Sequence, residues 1–146
     1  MKIDAKHITE KQEVEAALKI RFEVFVDEQG VPAEDEKDEF EVEARHFLAL
    51  VEGKPAGTAR WRFTDKGVKL ERFAVLKPYR GSGVGASLVE EVLKDVAQHK
   101  RMCDKITYLN SQVKAVPFYA KFGFKQTGEP FDECGIQHYT MLLDLA

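Results

Sequence analysis

The sequence predicts a mixed α/β fold, in which a central sheet carries helices on its faces. Short segments that alternate apolar and polar residues, such as 58–63, are typical of strands. Longer stretches between them repeat apolar residues every three or four positions, which indicates amphipathic helices. Because the two kinds of segment alternate along the chain, we expect helices packed against one sheet. The 146 residues, 44% hydrophobic and 32% charged, predict a single domain spanning 1–146.

The first elements are a short strand at 2–8 and a helix. Thr9 and Gln12 have the spacing of a capping box, in which each side chain satisfies a backbone N–H at the helix start. The apolar stripe of the helix consists of Val14, Ala17, Leu18, Phe22 and Phe25. Arg21 lies on the same stripe, which leaves two interpretations. Either its stem packs while the guanidinium stays in water, or the side chain reaches into a binding pocket.

An acidic loop follows the first helix and occupies residues 27–44. Its carboxylates are Glu34, Asp35, Glu36, Asp38, Glu39, Glu41 and Glu43, together with Asp27 and Glu28 at its start. Such a run is usually a solvated surface. The alternative is that it presents carboxylates to a cationic substrate.

Residues 45–64 predict two strands joined by a tight turn at 52–55, and a further strand follows at 68–76. Within the second strand, apolar residues alternate with polar ones, so one face is apolar and the other cationic. The apolar face consists of Ala59, Trp61 and Phe63. We interpret Arg60 and Arg62, on the other face, as solvated rather than functional.

The second half of the chain begins with a glycine-rich segment at 80–85 that leads into a second long helix. The buried face of this helix consists of Leu88, Val89, Val92, Leu93 and Val96. Glu90 and Lys94 are spaced to form an ion pair on its surface. The remaining elements are a strand at 105–110, a short helix within 113–124 capped by Gly123, and strands at 125–127 and 137–145.

The glycine-rich segment has the properties of a pyrophosphate cradle. A helix start offers unpaired N–H groups and the positive end of the helix dipole, both of which favour phosphate. Glycines let this backbone approach an anion closely, and Arg80 adds a permanent cation. The cradle consists of Arg80, Gly81, Ser82, Gly83, Val84 and Gly85.

Three kinds of cradle can be compared with this segment. A P-loop needs a lysine after its last glycine, but Gly85 is followed by Ala86. A dinucleotide fingerprint needs G-x-G-x-x-G and an acidic residue ending the next strand, whereas the spacing here is G-x-G-x-G and Asp104 precedes its strand. The third pattern, R-x-x-G-x-G, is met by Arg80, Gly83 and Gly85.

Composition excludes several classes of function. A net charge of −3 gives no electrostatic footprint for nucleic acid. No apolar run approaches the roughly 18 residues of a membrane span, and the N-terminus lacks a signal-like apolar stretch. We therefore expect a cytoplasmic protein that binds neither nucleic acid nor membrane. Cys103 and Cys134 are too few for a disulfide framework and lack zinc-like spacing, so we interpret both as reduced structural thiols and expect no metal.

Two motifs together resemble the GNAT superfamily of acyl-CoA-dependent N-acyltransferases. "LERFAVL" at 70–76 and "YRGSGVGASL" at 79–88 are similar to the central motif of that superfamily. "LNSQVKAVPFYAKFGF" at 109–124 is similar to its next motif, with an F-Y-x-K-x-G-F core. "RFEVFVDEQGVP" at 21–32, the acidic E-x-D-x-x-E and "CGIQHYTM" at 134–141 resemble the small bacterial ElaA/YjcF-like branch. The resemblance implies a mixed, mostly antiparallel sheet of about six to seven strands with about four helices on its faces.

The resemblance also implies that acetyl-CoA is the cosubstrate. Its pyrophosphate would lie on backbone N–H groups of 80–85, and its pantetheine would lie along 73–75 like an added strand. A backbone N–H near Ala74 or Val75 would bind the thioester carbonyl, and such a donor contributes about 3 kcal/mol to stabilising the oxyanion. The other residues implied to hold the cosubstrate are Phe73, Asn110 and Phe118.

The same resemblance assigns the catalytic roles. Tyr119 corresponds to the acid that protonates the leaving thiolate. His138 corresponds to the base of relatives with a G-x-x-H-x-x-M pattern, and imidazole changes charge near neutral pH. Glu71 is the competing base, since a carboxylate on this strand activates the amine in other members. Which of the two acts as the base stays open at this point.

The acceptor is implied to be a primary amine of a small molecule that attacks directly in a ternary complex. Arg21 and Gln112 correspond to acceptor-binding positions. Relatives that bind anionic acceptors carry arginines where this chain has Glu71 and Gln112, so an anionic acceptor is not favoured. Two alternatives remain, a non-catalytic acyl-CoA-binding or sensing domain and an enzyme similar to acyl-homoserine-lactone synthases. The resemblance also allows a homodimer.

Overall fold

The computed structural model describes residues 2–99 and 106–143 and shows one sheet of seven strands. The strands are β1 Ile3–Ile8, β2 Arg45–Val51, β3 Lys54–Phe63, β4 Gly67–Val75, β5 Ile106–Gln112, β6 Phe124–Glu133 and β7 Ile136–Leu143. They lie in the order β1-β2-β3-β4-β5-β7-β6. Every neighbouring pair is antiparallel except β4 and β5, which run parallel. The mixed, mostly antiparallel sheet is therefore confirmed.

Four α-helices accompany the sheet in the described ranges. They are α1 Lys11–Arg21, α2 Ala33–Glu36, α3 Val84–His99 and α4 Val116–Ala120. A π-helical segment, Phe22–Glu28, continues α1. None of these helices has the length and apolar character needed to cross a bilayer. Cys103 and the ends of the strands predicted at 105 and at 144–145 lie outside the described residues.

The two long helices lie on opposite faces of the sheet. Adjacent residues of a strand point to opposite faces. Phe47 in β2 packs in the cluster that contains Leu88 of α3, whereas its neighbour Leu48 packs in the cluster that contains Ile20 of α1. The buried face of α3 is as predicted, with Leu88, Val89, Val92 and Val96 fully buried and Leu93 partly buried.

Two local predictions are wrong. The capping box at Thr9 and Gln12 does not form, because the helix begins at Lys11 and its N-cap is Glu10, with no side-chain cap hydrogen bond. Thr9 thus precedes the position from which its hydroxyl would cap the helix. On α3, Lys94 Nζ lies 3.8 Å from a carboxylate oxygen of Glu91, three residues earlier in the helix. This contact takes the place of the predicted pair with Glu90.

The sheet opens between β4 and β5, and this opening positions the site. Their pairing covers only Gly67–Leu70 opposite Ile106–Leu109. Immediately beyond it, the register of β4 against β3 shifts and Arg72 adopts a positive φ of 60°, which is the geometry of a β-bulge. The next part of β5, 110–112, pairs with β7 alone among the described strands. The edge of β4 from 71 to 75 is therefore left without a strand partner on this side.

Candidate active site

A cavity of about 410 Å³ lies where β4 and β5 part. It brings together all the side chains that the sequence assigns to catalysis and several that it assigns to binding. The predicted residues that line it are Glu71, Phe73, Asn110, Gln112, Tyr119 and His138. These side chains come from β4, β5, α4 and β7, so the parting of the strands is what lets them face one space.

The other predicted residues do not line this cavity. Ala74 packs in the core cluster beneath α1, and Arg21 is held in an ionic network described below. Phe118 lies beside the glycine segment, since a Cβ added to Gly85 would be 3.2 Å from the Phe118 Cζ atom. Val75 and the cradle residues likewise lie outside the cavity lining.

Tyr119 presents a protonated phenol. Its ring makes edge contacts with Phe73 and Phe118, at centroid distances of 5.8 and 5.0 Å. Burial raises the pKa of the Tyr119 phenol above its ordinary value, so the group keeps its proton throughout the neutral range. Within residues 2–99 and 106–143, no group forms a hydrogen bond with this hydroxyl. The proton is therefore available to an acceptor in the cavity.

His138 presents a ring nitrogen with a lone pair. Its Nδ1 lies 2.8 Å from the carbonyl oxygen of Ile136, and because a carbonyl only accepts, Nδ1 must carry the hydrogen. In the neutral ring, Nε2 is then the unprotonated nitrogen. Nε2 lies 3.6 Å from a carboxylate oxygen of Glu133, which would stabilise the ring after it takes a proton. The ring also stacks on Phe131, with 6.0 Å between centroids.

Glu71, the competing base, is already matched by cations. It accepts a hydrogen bond from Arg60 Nε at 2.6 Å and one from Arg62 Nε at 2.9 Å, and Lys69 Nζ lies 3.2 Å away. Burial alone would raise its pKa, but these cations outweigh burial and the pKa is lowered. A carboxylate with a lowered pKa holds a proton weakly, so Glu71 is a poor base.

Arg21 belongs to a buried ionic network at the C-terminal end of α1. The residue is 1% exposed, so the interpretation that its guanidinium lies in water is wrong. Nε donates to Glu36 at 2.6 Å, and Nη1 donates to Glu41 at 2.8 Å. Both carboxylates come from the acidic loop, which this arginine fastens to the helix. Burial raises the pKa of Glu36 in spite of the neighbouring arginines.

Arg60 extends the network across β3, and the prediction that Arg60 and Arg62 are solvated is wrong for both, since the Arg62 side chain is only 13% exposed and pairs with Glu71. It is 1% exposed, donates to Asp38 at 2.6 Å and lies 3.1 Å from Glu41. Burial would raise the pKa of Asp38, but Arg60 holds it well below its usual range. The acidic loop is therefore not simply a solvated surface. The one signal in the sequence was the arginine face of β3, complementary to the E-x-D-x-x-E pattern of the loop.

The cradle residues form an open turn before α3. Gly81 and Gly83 have positive φ values of 78° and 97°, which other residues adopt only with strain. In the part of the chain that the structure describes, no backbone carbonyl or side chain accepts a hydrogen bond from the N–H groups of 81–86. Arg80 donates to the Val75 carbonyl at 2.9 Å and to Glu28 at 2.7 Å, which fixes this turn against β4.

Metal-binding side chains do not cluster in the described ranges, where no group of three or more His, Cys, Asp or Glu residues could hold an ion. Cys134 is an exposed thiol at the cavity. Taken with the residues described above, the cavity offers a proton donor in Tyr119, a proton acceptor in His138 and the unpaired edge of β4.

Comparison with known proteins agrees with this arrangement. The model of the GNAT acetyltransferase domain family matches residues 5–145. The chain is 41% identical over 135 residues to YjcF of Bacillus subtilis (strain 168), an uncharacterized N-acetyltransferase. The alignment covers 92% of this chain and 94% of YjcF.

Solved structures show the same fold. The crystal structure of Escherichia coli ElaA has a TM-score of 0.86 and 28% identity, covering 98% of this chain and 100% of that one. A GNAT family acetyltransferase from Elizabethkingia anophelis, solved with acetyl-CoA bound, shares the fold with a TM-score of 0.68 and 17% identity, covering 96% of this chain and 94% of that one. The chain therefore belongs to the GNAT acetyltransferase family, in its ElaA/YjcF-like branch, and is an acyltransferase.

Proposed function

We propose that the protein transfers an acetyl group from acetyl-CoA to a primary amine of a small molecule, by direct attack in a ternary complex. The observation that carries this proposal is the pairing of Tyr119 and His138 in one cavity. Tyr119 offers a phenol that keeps its proton, and the neutral ring of His138 offers the lone pair of Nε2. Amine acylation by a thioester needs both functions, a proton acceptor for the amine and a proton donor for the departing sulfur.

The cradle fits the pyrophosphate of the cosubstrate. The N–H groups of 81–86 lack acceptors in the described chain, and the positive φ values at Gly81 and Gly83 hold this backbone open. Backbone N–H groups in this arrangement bind phosphate well. Arg80 already pairs with Glu28, so its guanidinium would first have to leave that carboxylate to reach a phosphate.

The parted strands fit the pantetheine arm. The 71–75 edge of β4 has backbone groups without a strand partner, and an extended amide-containing chain would complete them. Asn110 faces the same space, and its Oδ1 accepts from Thr140 at 3.0 Å, which leaves its NH₂ to donate. Acetyl-CoA supplies the acyl group and a thiol leaving group.

The chemistry can then be written with the residues of this chain. His138 Nε2 takes a proton from the attacking amine as its nitrogen bonds to the acyl carbon. Tyr119 donates its hydrogen toward the sulfur as the C–S bond breaks, giving the amide and the CoA thiol. The phenolate left by this transfer takes a proton back from water, which burial favours because it raises the pKa of the Tyr119 phenol, and His138 releases its own proton to water. Gln112, held by Gln29 at 2.8 Å, would line the acceptor side.

The test is to measure binding and turnover separately. Calorimetry with acetyl-CoA should show binding in wild type and in Tyr119→Phe. Thiol release with a panel of primary amines should occur in wild type and fall about 100-fold in kcat in Tyr119→Phe, the size of a general-acid contribution. Absence of acetyl-CoA binding by folded protein would overturn the proposal. Binding without turnover of any amine would replace it with a sensing role.

A further inference from the structure

Arg72 reaches the cavity through an irregularity of β4. Adjacent residues of a regular strand point to opposite faces, but Glu71 and Arg72 both join the ionic network. Glu71 accepts a hydrogen bond from Arg60, and Arg72 donates one to Asp38. The bulge allows this, because Arg72 adopts a φ of 60°, which an arginine adopts only with strain, and Phe73 then packs against the core again. Strain of this kind is concentrated at functional sites.

Every acceptor that Arg72 contacts already holds a shorter bond with another arginine. Arg72 Nη2 donates to Asp38 Oδ2 at 3.2 Å, where Arg60 donates at 2.6 Å. It also donates to the Glu36 carbonyl oxygen at 3.4 Å, where Arg21 donates at 2.8 Å. Arg72 Nε lies 3.5 Å from Glu36 Oε1, which Arg21 reaches at 2.6 Å, and this buried Nε has no hydrogen-bond partner among the residues that the structure describes. Arg72 is thus held more loosely than Arg21 or Arg60.

The network also contains more cations than carboxylates in the described chain. Its four carboxylates belong to Glu36, Asp38, Glu41 and Glu71. Its five lysine and arginine cations belong to Arg21, Arg60, Arg62, Lys69 and Arg72. At least one positive charge is therefore in excess, and the long contacts assign it to Arg72. The Arg72 side chain is 25% exposed and lines the cavity, so a ligand there can reach it.

Two further carboxylates line the cavity, and both Asp35 and Glu133 are exposed. Water and salt screen exposed charges more than partly buried ones. Glu133 lies 3.6 Å from His138 Nε2, so its charge attracts an ammonium group that arrives at that nitrogen. The cavity therefore presents a negative charge beside the proposed base and a positive charge at Arg72.

We infer that the acceptor is an amine that also carries a carboxylate, an amino acid in the broad sense, with its carboxylate on Arg72 and its amine at His138. This inference rests on the proposed function. A guanidinium matches a carboxylate through two parallel hydrogen bonds, and such a ligand would give Arg72 an acceptor that no other arginine holds. The expectation against an anionic acceptor rested on positions 71 and 112, whereas the bulge brings an arginine into the cavity from position 72.

The test compares each amino acid with its own amide, which has the same length and lacks the negative charge. The acids are glycine, β-alanine and 4-aminobutanoate, so the series covers three separations between amine and carboxylate. Turnover is followed as thiol release from acetyl-CoA. For the pair that is turned over best, we expect kcat/KM of the acid to exceed that of the amide at least about tenfold in wild type, the effect of a charge-assisted hydrogen bond.

Substitution of Arg72 should remove this preference. Arg72→Asn deletes the guanidinium and places a residue that accepts a positive φ, and the acid-to-amide ratio should fall to near one. Arg72→Lys keeps the charge without the planar fork and should give an intermediate ratio. The matched control is Lys125→Asn, an exposed cation of β6 outside the cavity, which should leave the ratio unchanged. Because each ratio is taken within one preparation, it does not depend on how much of a variant folds.

The possible outcomes separate the inference from the proposed function. Equal kcat/KM for acid and amide in every pair would overturn the inference and leave the acetyltransferase proposal standing. An acid preference that persists in Arg72→Asn would also overturn the inference, as would turnover of simple amines without turnover of any of these six. Acetyl-CoA binding with no turnover of any amine would overturn both. A ratio that falls in Arg72→Asn but not in Lys125→Asn would support the inference.

Discussion

Replacing Arg60 with methionine tests whether the buried ionic network stabilises the fold. The side chain is 1% exposed and contacts Asp38 at 2.6 Å, Glu41 at 3.1 Å and Glu71 at 2.6 Å. Removing one partner of a buried pair costs about 3 to 5 kcal/mol, because a charge is left without compensation. Because Arg62 still pairs with Glu71, we expect a loss at the lower end of this range. The free energy of unfolding of Arg60→Met, measured in urea at pH 7, should be about 3 kcal/mol below that of wild type.

The pH dependence of this loss follows from the carboxylates involved. Burial raises the pKa of Asp38, Glu41 and Glu71, but their arginine partners outweigh it and lower each below its ordinary 3.8 or 4.5. Their stabilisation is thus present above these ordinary values and is lost as the pH falls through the lowered ones. Glu36, whose pKa is raised by burial, acts in the opposite sense and loses stability as the pH rises through its raised pKa. Without Arg60, the carboxylates of Asp38, Glu41 and Glu71 take up protons more readily as the pH falls. The difference in free energy of unfolding between wild type and Arg60→Met should therefore be smaller at pH 4 than at pH 7.

A surface ion pair provides the control for this experiment. Lys94 is 72% exposed and lies 3.8 Å from Glu91, so Lys94→Met should change the free energy of unfolding by less than about 0.5 kcal/mol. A loss for Arg60→Met as small as that of the control would refute the reasoning. So would a difference from wild type that stays constant between pH 7 and pH 4, because the loss would then not arise from uncompensated carboxylates.

Three further predictions concern the site. His138→Gln should lower kcat/KM about 100-fold near neutral pH. A pH-rate profile should show this loss shrinking as the pH rises, because the amine then loses its proton without a base, and a loss that stays constant would contradict a base role. Glu71→Gln should leave the shape of that profile as in wild type, because its charge is already matched; loss of the acidic limb would make Glu71 the base. Gly83→Ala, at a φ of 97°, should weaken acetyl-CoA binding about tenfold by calorimetry, and unchanged affinity would contradict the cradle.

The fold was predictable wherever one periodicity runs unbroken. The apolar repeat of α3 and the alternation in β3 gave elements close to those observed. The first helix was harder, because its π-helical continuation, Phe22–Glu28, changes the number of residues per turn. The residues that become fully buried around it include Ile20 and Val24, neither of which the predicted stripe contained.

The site was only partly predictable, for a physical reason. Resemblance supplied Tyr119 and His138, and both line the cavity. The charges around them were misread because Arg21 and Arg60 meet their carboxylates only after the chain has folded, across 15 and 22 positions of sequence. A local pattern reports that a residue is charged, but it does not report that a partner will share its burial.

The parting of β4 and β5 has a mechanical consequence. Within the described chain, the ladder joining the two halves of the sheet is only Gly67–Leu70 against Ile106–Leu109. The two halves of the sheet thus meet along a ladder of four residue pairs, and we expect the sheet to bend more easily there than where its strands pair along their full length. An extended molecule bound between β4 and β5 would connect the two halves of the sheet. The backbone amide protons of 71–75 should therefore exchange with solvent more slowly once that molecule is bound.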